Sequence, residues 1–170
     1  MGRVSVKENK NIYQQLRESR GLSREKASEL LGAMSPERIE KIESGKSLAH
    51  PDEVLLMAEK YKDPVLCNYF CARECPIGEK YVPEVEKKEL PAIVLEMLAS
   101  LARMEKSRDS LIEIASNGAV EDHEVAEFVR IQAELEKISL SVETLQLWAE
   151  RMVAEGHIDK ALYHQYKEKK

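Results

Sequence analysis

Aromatic side chains make up only 5 % of these 170 residues, and glycine and proline are also scarce, at seven and six. With 34 % charged and 43 % hydrophobic residues, that poverty points to helices with solvated faces and enough apolar material for real cores. No run approaches the roughly 18 apolar residues of a membrane helix. The opening MGRVSVKENK holds no apolar signal core. Val6 stands where a myristoylation motif beginning at Gly2 needs Ser or Thr. Three cysteines, an odd number without a signal, suit a reducing compartment better than a disulfide framework. The expectation is a cytoplasmic protein with no membrane partner.

Catalytic signatures are missing too. There is no Gly-rich phosphate loop, and His50, His123, His157 and His164 are scattered without a Ser, Cys or Asp constellation. The run NGAVEDHE (117–124) lacks the Asp/Asn alternation and the length of a calcium loop, so Asn117-Gly118 reads as a helix stop and Asp122 as a cap. An enzyme reading has little support, and no cofactor is expected. Net charge is −5 and uneven. Residues 1–66 hold twelve Lys and Arg against eleven Asp and Glu, and residues 67–170 hold fourteen against twenty. An acidic chain is a poor nonspecific nucleic-acid binder, but a near-neutral first part leaves room for local, specific contact.

What the chain does have is helix punctuation. Ile12, Tyr13 and Leu16 mark a first helix that Gly21 stops. Ser23 caps a second, REKASELL, with Ala27, Leu30 and Leu31 expected inward. Ser35-Pro36 restarts a third, PERIEKIES, with Ile39 and Ile42 on one face. His50-Pro51-Asp52 opens a fourth, rich in Val54, Leu55, Leu56 and Met57. Four of the six prolines fall in residues 64–91, which predicts a short helix near 64–74 and then an extended connector. Beyond Pro91 the pattern predicts one helix over 91–116, a second over 122–154 ending at Gly156, and a short last one capped by Asp159. In the long helix Phe128, Ile131, Leu135, Ile138, Val142, Leu145, Ala149 and Met152 recur at alternating steps of three and four, a coiled-coil-like seam. Val94, Met97, Leu101, Met104, Leu111 and Ala115 form a partner stripe, which Arg108 interrupts. Trp148 reads as core or subunit interface. The expected fold is all-α, with a helical bundle over 1–63, a Cys- and Pro-containing short helix and linker over 64–90, and an antiparallel helical hairpin over 91–170 that pairs subunits or binds a partner.

The segment LRESRGLSREKASELLGAMSPERIEKIESGK (16–46) resembles the helix-turn-helix of the phage-repressor, or XRE, family. Its landmarks are Leu16-Arg17, Gly21-Leu22-Ser23, Ala27, Ile39, Ile42-Glu43 and Gly45. The resemblance implies a lambda-repressor-like bundle whose second helix crosses the DNA backbone and whose third, about 36–44, enters the major groove. It also implies a structural ion pair between Arg17 and Glu43. On that reading phosphate contacts come from the amides after Ser23 and from Arg24 and Lys26. Base contacts come from Ser35, Glu37, Arg38 and Lys41, with Lys46 just past the helix, and Arg38 is the candidate for a guanine. The turn Gly32–Ser35 is longer than the family usually shows, and the exposed face of the third helix is charge-balanced. The segment NYFCARECPIGEKYVPE is similar to the linker of helix-turn-helix proteins of clostridial-type bacteria.

Cys67, Cys71 and Cys75 lie four apart. On one helix the outer two are about 12 Å apart, too far for one zinc unless the helix breaks. Small buried hydrophobes are the plainer reading, and a redox sensor with an exposed low-pKa thiol is a third. Two functions remain open: a homodimeric, sequence-specific transcription regulator on double-stranded DNA, or an adaptor or antitoxin-like module that binds another protein.

Overall fold

The computed structural model describes residues 10–116 and 118–169. The readings made on the first nine residues, and the Asn117 half of the helix stop, lie outside the described residues. Among the described residues there is no strand, and ten helices follow one another. They are α1 (Ile12–Ser19), α2 (Arg24–Leu31), α3 (Pro36–Glu43), α4 (Pro51–Lys60), α5 (Val65–Arg73), α6 (Gly78–Tyr81), α7 (Leu90–Lys106), α8 (Arg108–Ser116), α9 (Val125–Glu155) and α10 (Lys160–Lys167). The chain is all-α, as its periodicity predicts. It divides into two compact units. One holds the described residues as far as Glu84 together with those from Glu150 onward, and the other is Val85–Ala149.

In the first unit the predicted caps Ser23 and Ser35 act as written, and Asn11, for which no cap was expected, does the same for α1. Asn11, Ser23 and Ser35 each accept a hydrogen bond from a backbone amide three residues on, satisfying a donor the helix leaves orphaned. The core joins α1 to α5 through Tyr13, Ala27, Ile39, Met57, Tyr61 and Leu66, all at most 2 % exposed. Burying each large side chain contributes roughly 1.5–3 kcal/mol. Leu66 is in this core, so α5 is a packed helix of the first unit. Leu30, expected inward, is instead 43 % exposed, because a Leu-Leu pair on so short a helix can turn only one member inward and Leu31 takes that place at 4 %. Where an extended connector was expected after α5, Gly78–Tyr81 forms the helical turn α6, packed so closely on α5 that Gly78 has no room for a Cβ beside the Cys71 carbonyl.

Lys62 follows α4 with a φ of 55°, the left-handed region a side chain resists. The Asp63 amide closes the helix end by donating to the Ala58 carbonyl. Lys62→Gly relieves the strain, so it is expected to stabilise the fold by about 0.5–1 kcal/mol. A urea melt of the variant that shows no gain, or a loss, refutes this.

The second unit departs most from its sequence pattern. The helix expected over 91–116 breaks at Ser107, which is buried and off helical geometry, so α7 and α8 are separate. Ile93, Met97, Ser100, Met104, Ser107, Leu111 and Ile114 form an inward or half-inward row at alternating steps of four and three, with Val94 and Ser110 half-buried beside it. Of the predicted stripe Val94, Met97, Met104 and Leu111 are half-buried, while Leu101 and Ala115 are exposed and the neighbouring Ser100 and Ile114 are buried instead. The same holds in α9, where Ile131, Ser141 and Thr144 are buried while Leu135 and Val142 stay over 40 % exposed. Phe128, Ile138, Leu145 and Ala149 are half-buried. The buried hydroxyls satisfy themselves on their own helix, Ser141 donating to the Lys137 carbonyl and Thr144 to that of Leu140. Arg103 Nε reaches Glu134 Oε2 at 2.7 Å and ties α7 to α9. Asp122 does not cap α9, which begins at Val125 with the Glu124 carboxylate accepting from the Glu121 amide. Asp159 caps α10 as predicted, accepting from Leu162 N at 2.7 Å.

Candidate nucleic-acid interface

Three of the described helices set the site. Ala27 is fully buried, and its small side chain lets α2 and α3 approach. Ile39 and Ile42 anchor the inner face of α3. The Gly32–Ser35 turn is pinned because Met34 is buried and its carbonyl accepts from Ser28 Oγ at 2.7 Å. Asn11 Nδ2 donates to the Ile42 carbonyl at 2.9 Å and ties the start of α1 to the end of α3.

Arg17 and Glu43 meet as a bidentate pair, Nε to Oε1 at 2.5 Å and Nη2 to Oε2 at 2.9 Å. The guanidinium also donates to the Leu22 carbonyl at 2.5 Å, so it joins α1, the α1–α2 turn and α3. The Glu43 side chain is 1 % exposed. Arg24, a candidate phosphate contact, spends its Nε on the same carboxylate at 2.9 Å with its side chain 36 % exposed.

Arg38 is held in place by four partner atoms. Its Nε and Nη2 grip the two Glu53 oxygens at 2.7 and 2.6 Å, Nη1 donates to Ser47 Oγ at 2.7 Å, and Nη2 reaches the Leu48 carbonyl at 2.9 Å. The same Glu53 carboxylate accepts the His50 amide at 2.8 Å. One guanidinium thus stitches α3 to the 44–50 loop and to the start of α4. The exposed side of α2 and α3 is left to Lys26, Ser35, Glu37, Glu40 and Lys41, followed by Lys46, whose Nζ lies 3.5 Å from Glu40 Oε1. Glu37 folds back on the start of α3. Hydrogen bonds from its own amide and from Ser35 hold its carboxyl below the usual range, so it is charged at neutral pH. Glu53, Ser47 and Asn11 were not singled out from sequence, whereas His50 was read as the start of α4. The only signal for the first was a Glu three places after His50 at a helix start, the spacing of a capping box.

The Arg38–Glu53 pair makes the loop acid-sensitive. Hydrogen bonding to Arg38 is the main cause that lowers the Glu53 pKa in the folded state. A carboxyl depressed on folding stabilises above its unfolded pKa of about 4.3, and that contribution is lost as pH falls through the folded value. Arg38→Met is therefore expected to cost about 1–2 kcal/mol at pH 7 and progressively less below about pH 4. A deficit that stays constant across an acid titration of stability argues against the pair.

A family model described as Helix-turn-helix matches residues 14–62. This chain carries a helix-turn-helix domain of the XRE type. It is a DNA-binding domain of a regulator family, and its matched span runs from α1 through α4. No curated protein and no solved structure matches the chain.

The cysteines sit elsewhere on this domain's unit. Cys67 and Cys71 are on α5 and Cys75 lies just past it, all half-buried and free. Burial, with smaller contributions from Cys71 and Glu150, pushes the Cys67 thiol up, the opposite of what a reactive thiol needs. Among the described residues no group of three His, Cys, Asp or Glu side chains could hold a metal ion. No helix among the described residues is long and apolar enough to cross a membrane.

Proposed function

We propose that the protein is a sequence-specific transcriptional regulator, working on DNA inside the cell as a dimer, with α3 in the major groove. The observation that carries this is the two-sidedness of α3. Ile39, Ile42 and Glu43 lock one side into the bundle, and Ser35, Glu37, Glu40 and Lys41 are exposed on the other. On this reading Ser35, Glu37 and Lys41 face base edges. The α2 amides after Ser23, with Lys26 and Lys46, take phosphates, and Arg24 joins them while braced by Glu43. Arg38 holds the frame for that face through Glu53 and Ser47. Subunits pair through the helical region beyond residue 90, so that two α3 helices meet half-sites about one DNA turn apart.

Mobility shift on genomic fragments flanking the gene, across a salt series, tests it. Lys41→Ala is expected to relax preference at one base pair by roughly 1–3 kcal/mol, and Lys26→Ala to weaken all sequences alike and lower the salt slope by about 1. Absence of any sequence-selective shift at low salt sinks the proposal. The second reading, an adaptor that binds protein, draws on the leucines exposed along α7.

A further inference from the structure

The exposed side of α2 and α3 carries a restricted chemistry. From Leu16 to Cys67 the chain has no Asn and no Gln. Those are the side chains that grip adenine through N6 and N7 together. The two arginines of these helices are engaged within the bundle, Arg24 on Glu43 and Arg38 on Glu53. Ser35 bonds a donor or an acceptor alike and selects no base. What α3 presents at its start is a carboxylate, Glu37, and one turn further on an ammonium, Lys41, both exposed.

An ionised carboxylate only accepts hydrogen bonds, and it repels phosphates and the acceptor atoms of bases. The donors of the major groove are the amino groups at cytosine N4 and adenine N6. Beside adenine N6 stands N7, an acceptor that a carboxylate opposes, so cytosine is the base that suits Glu37. An ammonium only donates, and guanine offers it two acceptors together, O6 and N7. Recognition helices touch base edges with their N-terminal residues, which favours Glu37 over Glu40, whose carboxylate lies 3.5 Å from Lys46 Nζ. Glu37 and Lys41 are one helical turn apart, about 6 Å along the axis, which is less than two base-pair steps of about 3.4 Å each.

We propose that the DNA site carries a cytosine read at N4 by Glu37 and, within two base pairs of it, a guanine read at O6 and N7 by Lys41. The proposal rests on the DNA-binding reading above and names the bases that this face prefers.

Selection from a pool of fully randomised duplexes by the full chain, wild type against variants, tests it. Wild type is expected to enrich a motif with two G·C positions no more than two base pairs apart. Glu37→Gln keeps an acceptor and adds a donor, the pair of groups that fits adenine. It is expected to move the preference at one position from cytosine to adenine by roughly tenfold, with the guanine position and the helicity unchanged. Glu37→Ala is expected to lose the preference at that same position only, and Lys41→Ala to lose it at the guanine position only. A change confined to the cytosine position in the Glu37 variants supports the proposal. A Glu37→Gln protein that selects the wild-type motif, or that binds every sequence more weakly in the same order, overturns it, because the carboxylate then serves only the start of α3. A wild-type motif without the two G·C positions also overturns it and leaves the DNA-binding reading standing. A wild type that enriches no motif overturns both.

Discussion

Glu43→Ala is expected to cost about 3–5 kcal/mol, a large share of the 5–15 kcal/mol by which a domain is usually stable. The carboxylate is almost fully buried and accepts three hydrogen bonds, two from Arg17 and one from Arg24. Its removal leaves the Arg17 guanidinium, its side chain 7 % exposed, to the Leu22 carbonyl and to Glu18 at 3.7 Å, without the bidentate partner that matches its charge. The penalty is that of an unpaired buried charge rather than the net value of the pair. The double variant Arg17→Met, Glu43→Leu is therefore expected to recover most of the loss, because apolar groups of similar volume are tolerated where a broken pair is not. Urea unfolding of the two single variants and the double closes the cycle. A Glu43→Ala loss under about 1 kcal/mol, the range of a surface pair, refutes the assignment.

Gly78→Ala is expected to be as damaging for a different reason. A Cβ at Gly78 falls 2.0 Å from the Cys71 carbonyl oxygen and 2.7 Å from its carbon. These are backbone atoms, so no rotamer relieves the clash and α6 must lift from α5 or the end of α5 must unwind. A cost of about 3 kcal/mol or more is expected, at the upper end of overpacking. Gly32→Ala is the control. Nothing lies within 4 Å of its Cβ position and only the φ of 71° resists, so about 1 kcal/mol is expected there. Lifting α6 also uncovers α5, so Cys71 in Gly78→Ala is expected to react faster with a thiol reagent than in wild type. Equal rates and equal stability in the two alanine variants refute the packing argument.

The helix-turn-helix was legible because its signals are local. Ser23 and Ser35 announce helix starts within three residues, Pro36 fixes the first turn of α3, and Ile39 and Ile42 phase it. The role of Arg38 was not legible, because its partner Glu53 is fifteen residues away and only the folded loop brings the two together. On sequence alone an exposed-face arginine reads as a DNA contact, and the geometry shows its fork occupied. The inward rows of α7 and α9 were read only in part, for another reason. Pattern reading turns the largest apolar residues inward, yet Leu101, Leu135 and Val142 lie outward and serines lie inward. Small hydroxyl residues that bond their own helix can be buried as readily as leucine, and the sequence pattern carries no mark for that. The break at Ser107 was half visible, since Arg108 already interrupted the stripe.

The inward hydroxyls of Ser100, Ser107, Ser141 and Thr144 have a calorimetric consequence. Exposing apolar surface on unfolding raises heat capacity by about 0.45 cal/K/mol per Å², and exposing polar surface lowers it by about 0.26. A unit that keeps hydroxyls in its interior and leucines on its surface melts with a small heat-capacity step. For Val85–Ala149 a flatter stability curve is therefore expected than for an equally long segment with a leucine core, with less gain on cooling, and the heat-capacity step of a calorimetric melt reads it.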